Sequence, residues 1–453
     1  MKVEVISRDI IKPSSPTPES LRNYQLSFLD QVSPRTHSPF IYYYSLSDIN
    51  NESNDNNVIA DISYKLKKSL SKTLTLYYPL AGRFTKDFCV DCHDDGAPFF
   101  EARVLKRQLS DIIKNPVPLE LNDLLPFPLD EYAGLPFGVQ LNIFPCGGIT
   151  IGVCIAHQIA DALSCLEFTK CWMAIARGEE NKVVRPTFVS ASLFPPKNIG
   201  DYDPTMSPPK MNTNVAKLFV LDARKVEALR AKYEEKARGE NHAKPKWPRR
   251  LSRVEALSAF LWSRYVVATD LDIQNKLCTI FHPVNIRPKF DKPLPENSFG
   301  NYYIYQANET LLLSSIISSN TTEEEKDNCY ELAWVIGEEI RKIDKNFVED
   351  LHRVEKSDEY FESLKKGTER SVRGEGVALS FSSLCRFPLY DADFGYGKPI
   401  WVSSADRCFS NIFVFMDNKT GDEIETYACF SPEEMAKFEV DKEFLSLLSR
   451  QIE

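Results

Sequence analysis

Histidine is scarce and long apolar runs are missing from this sequence. Only six histidines occur in 453 residues, so few imidazoles are on hand for proton transfer near neutral pH. No apolar stretch approaches the roughly 18 residues needed to cross a membrane. The opening stretch, "MKVEVISRDIIKPSSPTPESL", scatters charges and has no apolar h-region, so no secretory signal is expected. Positive charge is in deficit: the formal net charge is −9. That argues against a general nucleic-acid binder, which carries a basic face, while allowing a local basic patch for a phosphorylated cofactor. Repeats at a solenoid or propeller period are absent. Cysteine is present, but its eleven residues follow no framework spacing, which fits reduced thiols. The expectation is a soluble, cytoplasmic protein.

The length suffices for two or three domains, and 43% hydrophobic against 26% charged residues is a globular balance. Ile59, Ile62, Leu66 and Leu70 recur at helical spacing in "VIADISYKLKKSLSKTLTLYYPLAG", with Pro79 and Gly82 as the stop. "FEARVLKRQL" reads as a strand. "FGVQLNIFPCGGITIGVCIAH" reads as two strands joined at the Pro145–Gly148 turn. "DALSCLEFTKCWMAIARG" then suits a buried helix ending near Gly178. Residues 179–213 are rich in Pro, Asn, Ser and Asp and read as a long crossover. It separates an N-terminal lobe, 1–178, from a C-terminal lobe, 214–453, where "VEALSAFLWSRYVVA" reads as a helix and "LCTIFHPVNIRP" and "SNIFVFMD" as strands. The expected class is α/β, with two mixed lobes of similar size.

Three short patterns suggest chemistry. "CVDCH", Cys89–His93, matches a c-type haem attachment signature. Haem attachment needs an export compartment, and zinc would need a second Cys/His pair, so both are set aside. "DFG", Asp393–Gly395, is a kinase signature, but neither a Gly-rich loop nor a His-Arg-Asp catalytic loop accompanies it. The glycines and aspartate of "DFGYG", Asp393–Gly397, suit a tight turn. The third pattern is His157 with Asp161, where an apolar strand gives way to a helix. A neutral imidazole at a strand end can serve as a general base beside a cleft. Asp161 either orients that imidazole as in a dyad, or points away and pairs with a distant cation. The alternative for both residues is a satisfied core histidine and a helix-start aspartate.

Together these stretches resemble the BAHD acyltransferases, plant enzymes that move acyl groups from coenzyme A thioesters to alcohols or amines. His157-x-x-x-Asp161 and Asp393-Phe-Gly-Tyr-Gly397 match the family's two motifs, with Tyr396 where the family has tryptophan. "YYPLAGR", "SRVEALSAFLW", "VNIRP", "SFGNYY" and "PEEMAKFE" agree in order and spacing. The resemblance implies a chloramphenicol-acetyltransferase-like fold, with two lobes, a crossover and a central solvent channel. It makes His157 and Asp393 the motif residues of the catalytic site: His157 the base, Asp393 a loop anchor of the second lobe. Asp161 is implied to turn away from the channel and pair with Arg287, and Gly395 and Gly397 to shape the anchored loop. Phe394 and Tyr396 are channel candidates.

By the same resemblance no cofactor is tightly bound, and acyl-CoA, here acetyl-CoA, is a co-substrate. Ser252, Arg253, Val284, Asn285, Ser382 and Ser383 match positions on the CoA side. Lys244 and Lys246, in the Lys- and Arg-rich loop Lys236–Arg250, are candidates for the 3′-phosphoadenosine end. That loop's other reading is a solvated face. "KPSSPTPESLRNYQLSFLDQ" is similar to the subgroup that acetylates alkaloid hydroxyls. The expected enzyme is therefore an O-acyltransferase acting on a small-molecule alcohol, monomeric, without nucleic-acid or membrane partners. Attack by the deprotonated hydroxyl on the thioester needs no acyl-enzyme, and Cys154 and Cys165, among apolar neighbours, read as packing. Malonyl and hydroxycinnamoyl donors stay open, as does a catalytically silent relative that binds a ligand or partner.

Overall fold

The structure, a computed structural model, describes residues 1–46, 55–129, 134–204, 214–238, 249–271, 277–309, 329–373, 375–406 and 410–449. The chain divides into two compact units. Unit 1 comprises Met1–Thr205, Leu294–Tyr302 and Phe387–Cys408; unit 2 comprises Met206–Pro293, Tyr303–Arg386 and Phe409–Glu453.

The run Ile149–Ala156, "ITIGVCIA", has no charged residue and forms a strand buried along its whole length. Such continuous apolar runs suit the interior of a sheet covered on both faces. It pairs antiparallel with Phe137–Ile143 on one side and with His37–Tyr44 on the other. The turn between Phe137–Ile143 and Ile149–Ala156 is closed by the Phe144 N–H donating to the Gly148 carbonyl at 2.9 Å, with Gly147 at a φ of +79°. Among the described residues the full unit 1 sheet has six strands, in the order Lys2–Ile11, Ala97–Leu105, Phe137–Ile143, Ile149–Ala156, His37–Tyr44, Trp401–Ser403. Against it lie the helices Asp55–Leu76 and Ala162–Ala176. The stripe Ile62, Leu66, Leu70 and Leu74 of the first is fully buried. The Trp172 indole N–H donates to Ser69 Oγ at 3.0 Å and ties the two helices together.

Unit 2 repeats the plan with another six-stranded mixed sheet, in the order Tyr303–Glu309, Leu277–Asn285, Gly376–Ser383, Ile412–Asp417, Glu423–Phe430, Val215–Asp222. Its core is aromatic: Phe381, Phe413, Phe430, Phe438 and Phe444 pack with Trp262 and Tyr265 of the helix Arg253–Thr269. The two-lobe mixed α/β class is thus as the sequence predicts. Among the described residues, no helix is long and apolar enough to cross a membrane.

The expected boundaries need correction. Trp401–Ser403 pairs with Ile41–Tyr43, so Phe387–Cys408, which carries Asp393–Gly397, belongs to unit 1 and not to a C-terminal lobe. Thr187 and Phe299 exchange backbone contacts with Asn297 and Thr187 at 3.1 and 2.9 Å, fastening the described part of the crossover to the returning segment Leu294–Tyr302. Residues 205–213 of the crossover lie outside the described residues. The strands Lys2–Ile11 and His37–Tyr44 were not expected; the first alternates half-buried and exposed positions at a sheet edge.

Gly152 sits mid-strand where an added Cβ would collide with the Leu124 carbonyl oxygen, a backbone atom that cannot swing aside. Gly152→Ala is expected to destabilise unit 1 by about 2–3 kcal/mol, as overpacking of a filled core does, read as a lowered urea midpoint.

Candidate active site

His157 is the first residue beyond the buried strand, and its own residue is half-buried. Leaving a sheet strands peptide groups that need new partners. Here the His157 N–H donates to the Thr36 carbonyl at 2.7 Å, and the His157 carbonyl accepts from Asn301 Nδ2 at 2.9 Å. Both main-chain polar groups of the histidine are therefore held, which fixes the origin of its side chain. Asp161 is the N-cap of the helix Ala162–Ala176. One carboxylate oxygen accepts the Ser164 N–H at 2.9 Å, a standard capping bond. The other accepts the Tyr302 N–H at 3.0 Å. Ser164 Oγ in turn donates to the Gly300 carbonyl at 2.8 Å. The stretch Gly300-Asn301-Tyr302 thus grips the His157–Ser164 turn at three points. Gly300, at a φ of +136° and close against Ser190, has a conformation that suits glycine.

Asp393 serves its own loop. Oδ1 accepts the N–H groups of Gly395 at 2.7 Å and Gly397 at 3.1 Å, and both glycines have positive φ. Arg177 donates to the Asp393 carbonyl oxygen. Phe394 is buried edge-on against Trp172, with centroids 4.8 Å apart, and Tyr44 Oη donates to the Ala392 carbonyl at 2.6 Å. Tyr396 is half-buried, and its hydroxyl is pushed up to about 12 by burial. Its phenol oxygen is enclosed and has no hydrogen-bond partner among the described residues. Asp393, Gly395 and Gly397 thus form one anchored turn within the same unit as His157 and Asp161.

The predicted CoA-side residues lie in unit 2. Ser252 caps the helix Arg253–Thr269 through a capping box with Glu255, Ser252 Oγ accepting the Glu255 N–H at 3.1 Å. That helix start opens onto a cleft of about 640 Å³ lined by Arg230, Arg249, Arg250, Arg253, Arg341 and Arg386, with Glu227 and Glu255 as its acids. Asp417 fastens the rim: it accepts from Arg253 Nη2 at 3.2 Å and from the Arg386 backbone N–H at 2.7 Å. The Arg249 guanidinium pairs with Glu255 at 2.8 Å and lies over the Trp334 ring, 4.8 Å from its centroid. The exposed Arg386 guanidinium has no ion-pair partner among the described residues. Six arginines and two glutamates therefore gather around the start of this helix, and guanidinium groups in such numbers can receive an anionic group by charge-assisted hydrogen bonds.

Val284, Asn285, Ser382 and Ser383 are not part of that lining. Val284 is buried near the end of its strand, and Asn285 Oδ1 accepts the Arg287 N–H at 3.0 Å. Arg287 itself is fully buried in a short 3-10 turn. Ser382 and Ser383 close the strand Gly376–Ser383, and Ser383 Oγ accepts the Cys385 N–H at 3.3 Å. Lys244 and Lys246 lie outside the described residues. Sequence reasoning missed Thr36, Asn301, Arg341 and Arg386. "SFGNYY" was a visible signal for Asn301, while the arginines are scattered along the chain. His282 is a core histidine: Nε2 lies 3.1 Å from Ser258 Oγ and the ring stacks on Phe381. Cys89 and Cys92 donate to Gln25 Oε1 and the Val90 carbonyl, each at 3.3 Å, and burial pushes the Cys92 thiol up to about 12.

A family model described as the Transferase family matches residues 1–445. The chain belongs to this family, the BAHD acyltransferases. Stemmadenine O-acetyltransferase of Catharanthus roseus is 36% identical over 99% of this chain and 98% of its own. Limonoid 1-O-acetyltransferase of Citrus sinensis is 32% identical over 99% of each. The crystal structure of vinorine synthase matches with a TM-score of 0.79 at 31% identity, covering 99% of this chain and 98% of that one. As a BAHD transferase the protein is an acyltransferase that takes acyl-CoA as co-substrate.

Burial holds the His282 imidazole far below its ordinary range, at about 3, so it is neutral when folded. An unfolded imidazole takes up its proton near pH ~6.5. Between these values the unfolded state binds more protons, so this group's contribution to stability falls as pH drops below about 6.5. The stability of wild type relative to His282→Asn is expected to decline over that range in urea titrations, and to be flat above pH 7.

Proposed function

We propose that the protein transfers an acetyl group from acetyl-CoA to a hydroxyl of a multi-ring plant alcohol, of the alkaloid class, with His157 as general base. The observation that carries the reading is a half-buried histidine whose main-chain N–H and C=O are both held where a buried strand ends. A neutral alcohol is a poor nucleophile. His157 accepts its proton as the oxygen attacks the thioester carbonyl, a step general-base catalysis accelerates by about 10²–10⁴-fold. The tetrahedral intermediate collapses with CoA thiolate as leaving group, and the proton held by His157 returns to it. Both substrates are bound together, and no acyl-enzyme forms. Asp161 and Asp393 are supporting residues whose carboxylates hold backbone, not substrate.

The arginine-lined cleft of unit 2 supports the binding of the CoA phosphates. Ser252 and Arg253 stand at its helix start, and Arg386 offers a guanidinium at its rim. The names of the two O-acetyltransferase relatives support an acetyl donor and a hydroxyl acceptor. A net acidic chain suits an acceptor carrying a basic amine. The enzyme works as a monomer in the cytoplasm, a setting supported by nine free cysteines among the described residues.

The test is a panel of polycyclic alcohols incubated with acetyl-CoA and read by mass spectrometry. Product ions heavier by one acetyl group are expected, and His157→Ala should lower the rate by about 10²–10⁴-fold while the protein stays folded. Turnover by His157→Ala at the wild-type rate would overturn the reading, and no turnover of any alcohol would favour a silent ligand-binding relative. Arg386→Gln is expected to raise the KM for acetyl-CoA several-fold at low salt, with the difference shrinking as salt screens the charge.

A further inference from the structure

The short helix Phe28–Gln31 carries a charge that its own folding does not require. Ser27 is its N-cap, and Asp30 completes a capping box: Asp30 Oδ2 accepts the Ser27 N–H at 2.8 Å and the Ser27 hydroxyl at 2.7 Å. One carboxylate oxygen suffices for that box. Yet Asp30 is entirely buried, and its other oxygen turns to a segment 271 residues away. Oδ1 accepts the Asn301 N–H at 2.9 Å and Asn301 Nδ2 at 2.8 Å. Burial pushes the carboxyl up to about 6, against the pull of these four donors. The carboxyl group is therefore held by four hydrogen bonds.

Asn301 passes that arrangement on. Its side-chain nitrogen has two hydrogens. One goes to Asp30 Oδ1 and the other to the His157 carbonyl at 2.9 Å. Both partners are pure acceptors, so the amide cannot flip without setting its oxygen against a carboxylate and a carbonyl. Asn301 Oδ1 is buried without a hydrogen-bond partner, so nothing competes for the other orientation. We propose that Asp30 is a positioning residue for the His157 base, acting through the Asn301 amide that it orients. The proposal rests on His157 being the base. Asp30 touches neither the reacting atoms nor the imidazole. It fixes the backbone from which the imidazole projects, and misplacement of a catalytic group by about 1 Å can cost about 10²-fold in rate.

The test uses the full chain with acetyl-CoA and the alcohol of the panel turned over fastest, with folding checked by circular dichroism below the melting temperature. Asp30→Asn and Asn301→Ser are each expected to lower kcat by about 10–100-fold, with the KM for acetyl-CoA within about twofold. In the His157→Ala background, Asp30→Asn should change the residual rate by less than about twofold, because its effect runs through the missing imidazole. Ser27→Ala loses the cap but keeps the Asn301 link; it should lose stability while keeping kcat within about twofold. Independently of turnover, carbethoxylation of His157 by diethyl pyrocarbonate, followed by peptide mass spectrometry, should change rate at least about threefold in Asp30→Asn or Asn301→Ser, with the other histidines unaffected. The proposal is overturned if folded Asp30→Asn or Asn301→Ser keeps wild-type kcat and wild-type His157 labelling, or if Ser27→Ala loses as much kcat as they do. Full activity of His157→Ala would instead remove the base on which the proposal stands.

Discussion

A strand that ends inside a protein leaves peptide groups with nowhere to go, and the treatment of that problem at Ala156–Asp161 organises unit 1. Water does not solve it, because Gln158, Ile159, Ala160 and Asp161 are all buried. The partners come from Thr36, upstream in the chain, and from Gly300, Asn301 and Tyr302, far downstream. Each unmet buried polar group would cost about 1–3 kcal/mol, so this local conformation exists only when all three stretches are assembled. A side chain projecting from such a turn inherits its rigidity. That is the property a proton acceptor needs, since proton transfer depends steeply on the distance between heavy atoms.

Unit 2 shows the complementary electrostatic arrangement. The chain is acidic overall, yet its arginines gather around the start of the Arg253–Thr269 helix. Buried Glu255 and partly buried Asp417 hold several of these side chains or their backbone in place. Gly337 permits the Arg249–Glu255 pair to lie against its helix, since a Cβ there would strike both side chains. A rigid fork of guanidinium groups suits phosphate better than mobile lysines would. Local arrangement, not net charge, thus decides which anion this surface can take.

The sequence was most legible where chemistry and periodicity coincided. The apolar run Ile149–Ala156 with its Pro145–Gly148 turn, the helix with Ile62, Leu66 and Leu70 on one face, and the helix after Asp161 could all be read from pattern. His157 and Asp393 stood out through motifs. The hydrogen bonds that hold His157 did not, because they join Asp30, Thr36, Asn301 and His157 across long gaps in the chain. The strand Trp401–Ser403 is three residues long, too short for alternation to be seen, so the return of the chain to the first sheet was invisible. The strand Lys2–Ile11 failed for another reason. At a sheet edge its half-buried face carries Ser7 and Asp9 among Val3, Val5 and Ile11, which blurs the period.

That late return bears on how the polypeptide matures. The sheet of unit 1 begins with residue 2 and gains its last strand only at residues 401–403. While a ribosome is still making the middle of the chain, the edge at His37–Tyr44 has no neighbour, and the peptide groups after Ala156 have no downstream partners. Unit 1 can be completed only after residues 401–403 have emerged. Its nascent form therefore has a raw edge at His37–Tyr44 that the finished sheet covers in part, the kind of surface that chaperones shield and that a truncated translation product would leave permanently exposed.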